Sequence, residues 1–161
     1  FGLVITKIFL GKDIRSFGSG NIGTTNVLRT GKKSLAAATL LFDVLKGYVS
    51  ILISYKYFNE LIYLSALICF IGHIFPVWLR FKGGKGVAAY LGIILGISFT
   101  LGLIFGVAWI IITIIFRYSS LSSILSSMIV CIYSIFTSNE IQTYFLFLIF
   151  VFKDFLCVFT I

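Results

Sequence analysis

Long apolar runs at residues 34–55, 61–79, 87–116 and 121–137, with another from 143 onward, leave this chain almost no way to fold in water. About 20 predominantly apolar residues let a helix cross the roughly 30 Å hydrocarbon core of a bilayer. A helix also satisfies its own backbone amides and carbonyls there. Composition agrees: 60% of the 161 residues are hydrophobic and 11% charged, against about a quarter charged in soluble domains. The expected fold is an all-α, polytopic transmembrane helix bundle of about five or six spans. It is expected to form a single integral-membrane domain over 1–161, with no length left for a soluble one.

Thirteen Lys and Arg against five Asp and Glu give a net charge of +8, and the excess is clustered. In a polytopic protein, clustered Lys and Arg first mean topology, because they stay in cytoplasmic loops. Nucleic acid is excluded as a partner, since no basic stretch is long enough or interleaved with aromatics in a soluble module. Cys69, Cys131 and Cys157 lie in apolar runs without metal-ligand spacing and read as small buried residues.

Residues 1–10 are apolar but too short to cross, so the chain is expected to begin inside a first span. A polar stretch at 11–33 follows, and the runs 34–55 and 61–79 then make two crossings. Arg80, Lys82 and Lys85 thereby return to the side of Lys12, Arg15 and Arg29, which the positive-inside rule makes cytoplasmic. The run 87–116 would rise about 45 Å as one helix, well beyond the hydrocarbon core. Glycines at 92, 96, 102 and 106 flank 97–100, so a hairpin broken there is expected, bringing Arg117 back to the basic side. Residues 121–137 cross outward, 138–140 turn, and the segment from 143 returns.

Two glycine-rich basic islands, 16–29 and 81–86, thus meet on one face. GSGNIG at 18–23 formally matches a dinucleotide-binding loop. No strand precedes it, and Thr24 stands where a phosphate-loop lysine would, so nucleotide binding is rejected. The chemistry survives the failed label. Glycines admit close backbone approach, successive amides can cradle an anion, Ser19, Asn21, Thr25 and Asn26 add neutral donors, and Arg29 can grip an oxyanion in two places. FKGGKG at 81–86 opens the next apolar helix, so its amides are expected to point from a helix N-terminus beside Lys82 and Lys85.

Charges inside a span need a reason. Asp43 and Lys46 are spaced to pair with each other or to bind substrate, and the two readings are equally open. His73, the only histidine, precedes the second island and could act as a base, bind phosphate or simply pack. Arg117 and Ser119 form a third polar cluster with Ser120, Ser122 and Ser123. No serine-triad elbow, zinc cluster or acid dyad is present. Catalysis would rest on positioning and charge stabilisation.

The blocks SFGSGNIGTTNVLR, FDVLKG, GHIFPVWLRFKGGKGVA and RYSSLSS together resemble the bacterial membrane glycerol-3-phosphate acyltransferases of the PlsY family, which use acyl phosphate as donor. The resemblance runs from Phe1 through Ser123. It implies transfer of a fatty acyl group to the 1-hydroxyl of sn-glycerol 3-phosphate, giving lysophosphatidic acid and phosphate in phospholipid biosynthesis. No cofactor is implied. The implied partners are the two substrates, membrane lipids and the soluble enzyme that makes acyl phosphate. The implied place is the bacterial inner membrane, crossed several times, with the site open to the cytoplasm. Carried onto this sequence, the loop Gly83, Gly84, Lys85 and Gly86 binds glycerol phosphate, and Ser19, Asn21, Thr25, Asn26 and Arg29 are the matching positions around the substrates. From the chemistry of the residues, Lys46, Lys82, Arg117 and Ser119 are added to the expected substrate site, and Ser16, Arg29 and His73 are the expected catalytic residues.

Family members usually continue into a cytoplasmic tail with a histidine and an asparagine–arginine pair, whereas this chain ends IFVFKDFLCVFTI. It is therefore expected to lack that tail and most of the first span, and an inactive shortened member is one alternative. A transporter of phosphorylated metabolites, lined by Asp43, Lys46 and His73, is the other. The one-sided charge and the missing internal repeat oppose it.

Overall fold

The structure, a computed structural model, describes residues 1–137 together with positions 145 and 149. Among these, every regular element is helical: α1 (Gly2–Leu10), α2 (Thr24–Leu28), α3 (Lys33–Tyr57), α4 (Ile62–Ile74), α5 (Val87–Ile97), α6 (Phe99–Phe116) and α7 (Ser119–Phe136). Short 3₁₀ turns stand at Ile14–Ser16, Asn59–Leu61 and Val77–Leu79. Four segments are long and apolar enough to cross a membrane: Lys33–Tyr57, Asn59–Leu79, Phe99–Phe116 and Ser119–Phe136. The expected turn at 138–140 and the span from 143 lie outside the described residues.

Sequence chemistry sets the boundaries. α4 stops at Ile74 because Pro76 biases the residue before it away from helix, and Phe75 leaves the helical region at φ −118°, ψ 60°. The run 87–116 breaks at Ser98, which is extended at φ −151°, ψ 117°; its hydroxyl accepts a 3.5 Å hydrogen bond from the amide of Leu101, at the start of α6. With 11 residues, α5 is about 16 Å long, only half of the hydrocarbon core. α6 packs back on it where Gly102 meets Leu95. This is the expected hairpin, and it brings the start of α7 beside the start of α5: Lys85 Nζ lies 3.4 Å from Ser120 Oγ.

α3 and α5 form the closest helix pair. A Cβ at Gly92 would strike the carbonyl of Val44, and one at Gly47 would sit 2.6 Å from the carbonyl of Ala89. Lipid tails are as apolar as leucine, so intimate backbone contact through small residues takes over the role that apolar burial plays in water. Tyr90 of α5 is fully buried between rings from α4 and α6, edge-on to Phe70 at 6.5 Å and to Phe105 at 5.2 Å. Such pairs contribute about 0.5–1.5 kcal/mol each beyond burial. α7 turns a polar face inward: Ser122, Ser123, Ser126 and Ser127 are buried, while Met128, Ile129 and Ile135 face out. The hydroxyls remain satisfied by bonding back along the helix, as Ser126 does to the carbonyl of Ser122 at 2.6 Å.

Gly92→Leu should weaken the α3–α5 contact by about 1–3 kcal/mol, the usual cost of overpacking. Gly106→Ala, with nothing within 4 Å of the added carbon, should not. Denaturation midpoints in detergent check the difference; equal midpoints would show that the approach at Gly92 is not a packing requirement.

Candidate active site

The first island is a loop wound around one side chain. Asn26 is fully buried. Its Oδ1 accepts the Ser19 amide at 3.0 Å, and its Nδ2 donates to the carbonyls of Ile14, Phe17 and Asn21 at 3.1, 2.9 and 2.8 Å. Both Nδ2 hydrogens are thereby spent, and one of the two Oδ1 lone pairs is filled. Asn26, expected among the substrate-binding residues, is in this structure the internal clamp of the loop, buried and bonded to four backbone groups. Gly18 lies under Asn26 Oδ1 at φ 56°, a conformation and a clearance that a side chain would forbid. Asn21 Oδ1 takes the Gly23 amide at 2.9 Å and closes the turn.

Ahead of this loop, Asp13 caps the 3₁₀ turn and clasps Arg15: Nε lies 3.0 Å from Oδ1 and Nη2 2.6 Å from Oδ2. The side-chain bond from Arg15, followed by its backbone amide at 3.0 Å, holds the Asp13 carboxyl down at about 2. A lowered pKa means the pair is intact above the ordinary carboxylate range and is lost only as pH falls toward that value. At neutral pH the loop keeps its shape.

The second island folds backward. The Gly83 amide donates to the carbonyl of Ile74 at 3.0 Å, and the Gly84 amide to that of His73 at 3.3 Å. These two donors cap the exposed carbonyls at the end of α4. The expectation that the whole glycine run points its amides at an anion is corrected here: the Gly83 and Gly84 amides are spent inside the protein. The reversal needs Arg80 and Phe81 in the left-handed region, at φ 53° and 63°, and strain of this kind clusters at functional sites.

The islands meet around a cavity of about 480 Å³. Arg15, Ser19, Gly20 and Asn21 form one wall; Phe81, Lys82, Gly83, Gly84 and Lys85 form the other, and Ile74 and Phe75 also line it. Among the described residues its walls carry three cations, of which Arg15 is paired with Asp13, and several neutral donors, with no carboxylate and no imidazole in the lining. Ser120 touches Lys85 from α7, where the sequence had pointed to Ser119; Arg117 caps α6 and is exposed. Gly86 caps α5 beneath Phe70 and does not line the cavity.

The three expected catalytic residues do not share this space. Ser16 lines a second cavity of about 610 Å³ with Lys12, Thr30 and Lys32, and its hydroxyl donates to the carbonyl of Asp13 at 2.7 Å. Arg29 is exposed beside Gly18, and Thr25 is exposed on α2. His73 is buried behind Gly84, where its Nδ1 contacts Lys46 Nζ. Lys46 Nζ in turn lies 2.9 Å from Asp43 Oδ1, so Lys46 is engaged in an ion pair within α3. Arg15, Gly20, Ile74, Phe75 and Phe81 entered no expectation as site residues. Arg15 was legible as an island cation, but the two apolar residues at the end of α4 gave no signal without the fold-back. No cluster of three potential metal ligands occurs among the described residues.

The family model for glycerol-3-phosphate acyltransferase matches residues 1–160. A glycerol-3-phosphate acyltransferase of Pelagibacter ubique (strain HTCC1062) is 49% identical over 146 residues, covering 91% of this chain and 76% of its own. One from Rhodopseudomonas palustris (strain BisB5) is 53% identical, covering 83% of this chain and 68% of its own. A third, from Brucella anthropi, is 51% identical over 81% of this chain and 65% of its own. Among solved structures, PlsY, an integral membrane glycerol 3-phosphate acyltransferase, superposes in its glycerol 3-phosphate form with a TM-score of 0.88 at 32% identity, covering 96% of this chain and 78% of that one. Its lysophosphatidic acid form gives 0.84 at 31% identity, over 99% and 79%. With sequence, helices and converging islands in agreement, the chain belongs to the glycerol-3-phosphate acyltransferase family of integral membrane enzymes.

Proposed function

We propose that the chain transfers a fatty acyl group from acyl phosphate directly to the 1-hydroxyl of glycerol 3-phosphate, giving lysophosphatidic acid and inorganic phosphate. The observation that carries this reading is the cavity between the islands, whose walls hold Arg15, Lys82 and Lys85 and, among the described residues, neither carboxylate nor imidazole. Lys82 and Lys85 take the phosphate of glycerol 3-phosphate, and Ser120 steadies Lys85. Ser19, Gly20, Asn21 and Arg15 take the phosphate of the donor. Ser19 takes the role expected for Ser16, and Arg29, exposed beside Gly18, adds positive charge to the same island.

The hydroxyl oxygen forms a bond to the acyl carbonyl carbon as the carbon–oxygen bond to phosphate breaks. The proton passes to an oxygen of the departing phosphate, which leaves as hydrogen phosphate, so the step balances without a protein base. The enzyme supplies alignment and cations that meet the charge developing on the carbonyl and leaving group. No acyl-enzyme forms. Clustering of Lys12, Arg15, Lys82, Lys85 and Arg117 near the same end of the bundle supports a cytoplasmic opening in a bacterial inner membrane.

With acyl phosphate and labelled glycerol 3-phosphate, the native chain should form lysophosphatidic acid. Lys85→Ala and Ser19→Ala should each lower kcat/KM by about 10²-fold, the usual loss for one charge-stabilising donor. Ser16→Ala should cost much less; a loss equal to that of Ser19→Ala would move the site to the second cavity. Intact-mass measurement on quenched enzyme should find no acyl adduct, and a trapped one would rule out direct transfer. In whole cells, an impermeant thiol reagent should reach Asn59→Cys but not Lys12→Cys. The opposite labelling would place the site outside.

A further inference from the structure

His73 is the one imidazole of the chain, and it lies directly beneath the loop that carries Lys85. Its side chain is 5% exposed. Nδ1 faces the Lys46 ammonium, which can only donate, so Nδ1 serves as acceptor and a neutral ring carries its proton on Nε2. The one lone pair of the ring is thereby engaged, and the Nε2–H edge lies against Gly84, so close that a Cβ added there would collide with it. A lone pair held by Lys46 takes no proton from a hydroxyl in the cavity. The Asp43 carboxylate lies 3.7 Å from Nδ1, too long for a hydrogen bond, but it anchors Lys46 at 2.9 Å. The chain thus buries an ion pair within its spans, where charges are costly and need a purpose, and aims it at a ring that touches no substrate space.

The backbone of the same residue completes the arrangement. The His73 carbonyl receives the Gly84 amide at 3.3 Å, and its neighbour Ile74 receives that of Gly83 at 3.0 Å. One residue therefore meets the loop through both its ring and its carbonyl. Resting on the acyl-transfer reading above, we propose that His73 is a positioning residue: its imidazole, locked by Lys46 and Asp43, is the platform on which Gly84 sits, and it sets where Lys82 and Lys85 hold glycerol 3-phosphate. The pair in α3 is then a brace, and Gly84 is glycine because the platform leaves no room for a methyl group.

The test is a two-residue cycle on the full chain in detergent: Gly84→Ala, His73→Ala, the double variant and His73→Gln. Gly84→Ala pushes its methyl into the ring, so the KM for glycerol 3-phosphate should rise by up to ~10²-fold, the scale of a 1 Å misplacement. Removing the ring should relieve that collision, so the double variant should bind better than Gly84→Ala alone. His73→Gln should keep kcat near that of the native chain. A double variant no better than Gly84→Ala would overturn the platform. So would a His73→Gln variant with kcat reduced ~10²-fold or more and KM unchanged, the mark of a general base. Hydrogen exchange of residues 81–86 without substrate gives an independent readout: it should quicken in Gly84→Ala and slow again in the double variant, and unchanged rates would also overturn the proposal. If the native chain forms no acylated product while exchange follows the expected pattern, the platform stands and the acyl-transfer reading fails.

Discussion

Two backbone hydrogen bonds, from the amides of Gly83 and Gly84 to the carbonyls of Ile74 and His73, hold the site together. A helix that ends at a membrane boundary leaves its last carbonyls without partners, and the loop that follows supplies donors for two of them. Folding back to do so carries Phe81, Lys82 and Lys85 over the end of α4 and toward the first island. The same closeness excludes a side chain from both glycines, because a Cβ at Gly83 would meet those carbonyls and one at Gly84 would meet the His73 ring. Capping a helix and placing two lysines are one structural event here.

Lipid constrains everything around that event. Apolar burial separates helices from tails only weakly, so α3 and α5 approach through Gly47, Gly92 and Gly96, and α7 presents serines to the interior. Polar groups within the bundle must then find partners inside it. Asp43, Lys46 and His73 do so together across α3 and α4. The half-length α5 places the start of its helix at the basic face and, with the break at Ser98, returns the chain so that Ser120 reaches Lys85.

Much of this was legible beforehand. Hydropathy placed the spans, crossing arithmetic put both islands on one face, and the excess length of 87–116 with its glycines pointed to the break that Ser98 makes. The i, i+3 spacing allowed the Asp43–Lys46 pair. What could not be read was which way hydrogen-bonding groups turn. Asn26 has the chemistry of a ligand and the location of a clamp, and the amides at 83 and 84 belong to a glycine loop yet face inward. Ser16 and Ser19 differ by three positions and line different cavities, a distinction set by the fold of a loop with no periodicity. His73 looked like a base because it precedes the lysine-bearing island in sequence; in space, Lys46 holds the one lone pair of its ring and Gly84 packs against the opposite edge.

Convergence of two segments some sixty residues apart on one phosphate-binding cavity is the central claim, and it can be measured without turnover. Ser19→Cys and Lys82→Cys, placed together in a chain whose native cysteines are replaced by alanine, stand on opposite walls of that cavity. A short bifunctional thiol reagent should join them within one chain in native membranes, and glycerol 3-phosphate should slow the reaction. If both thiols are modified separately with no intramolecular link, the islands do not share a cavity and the site as described is wrong.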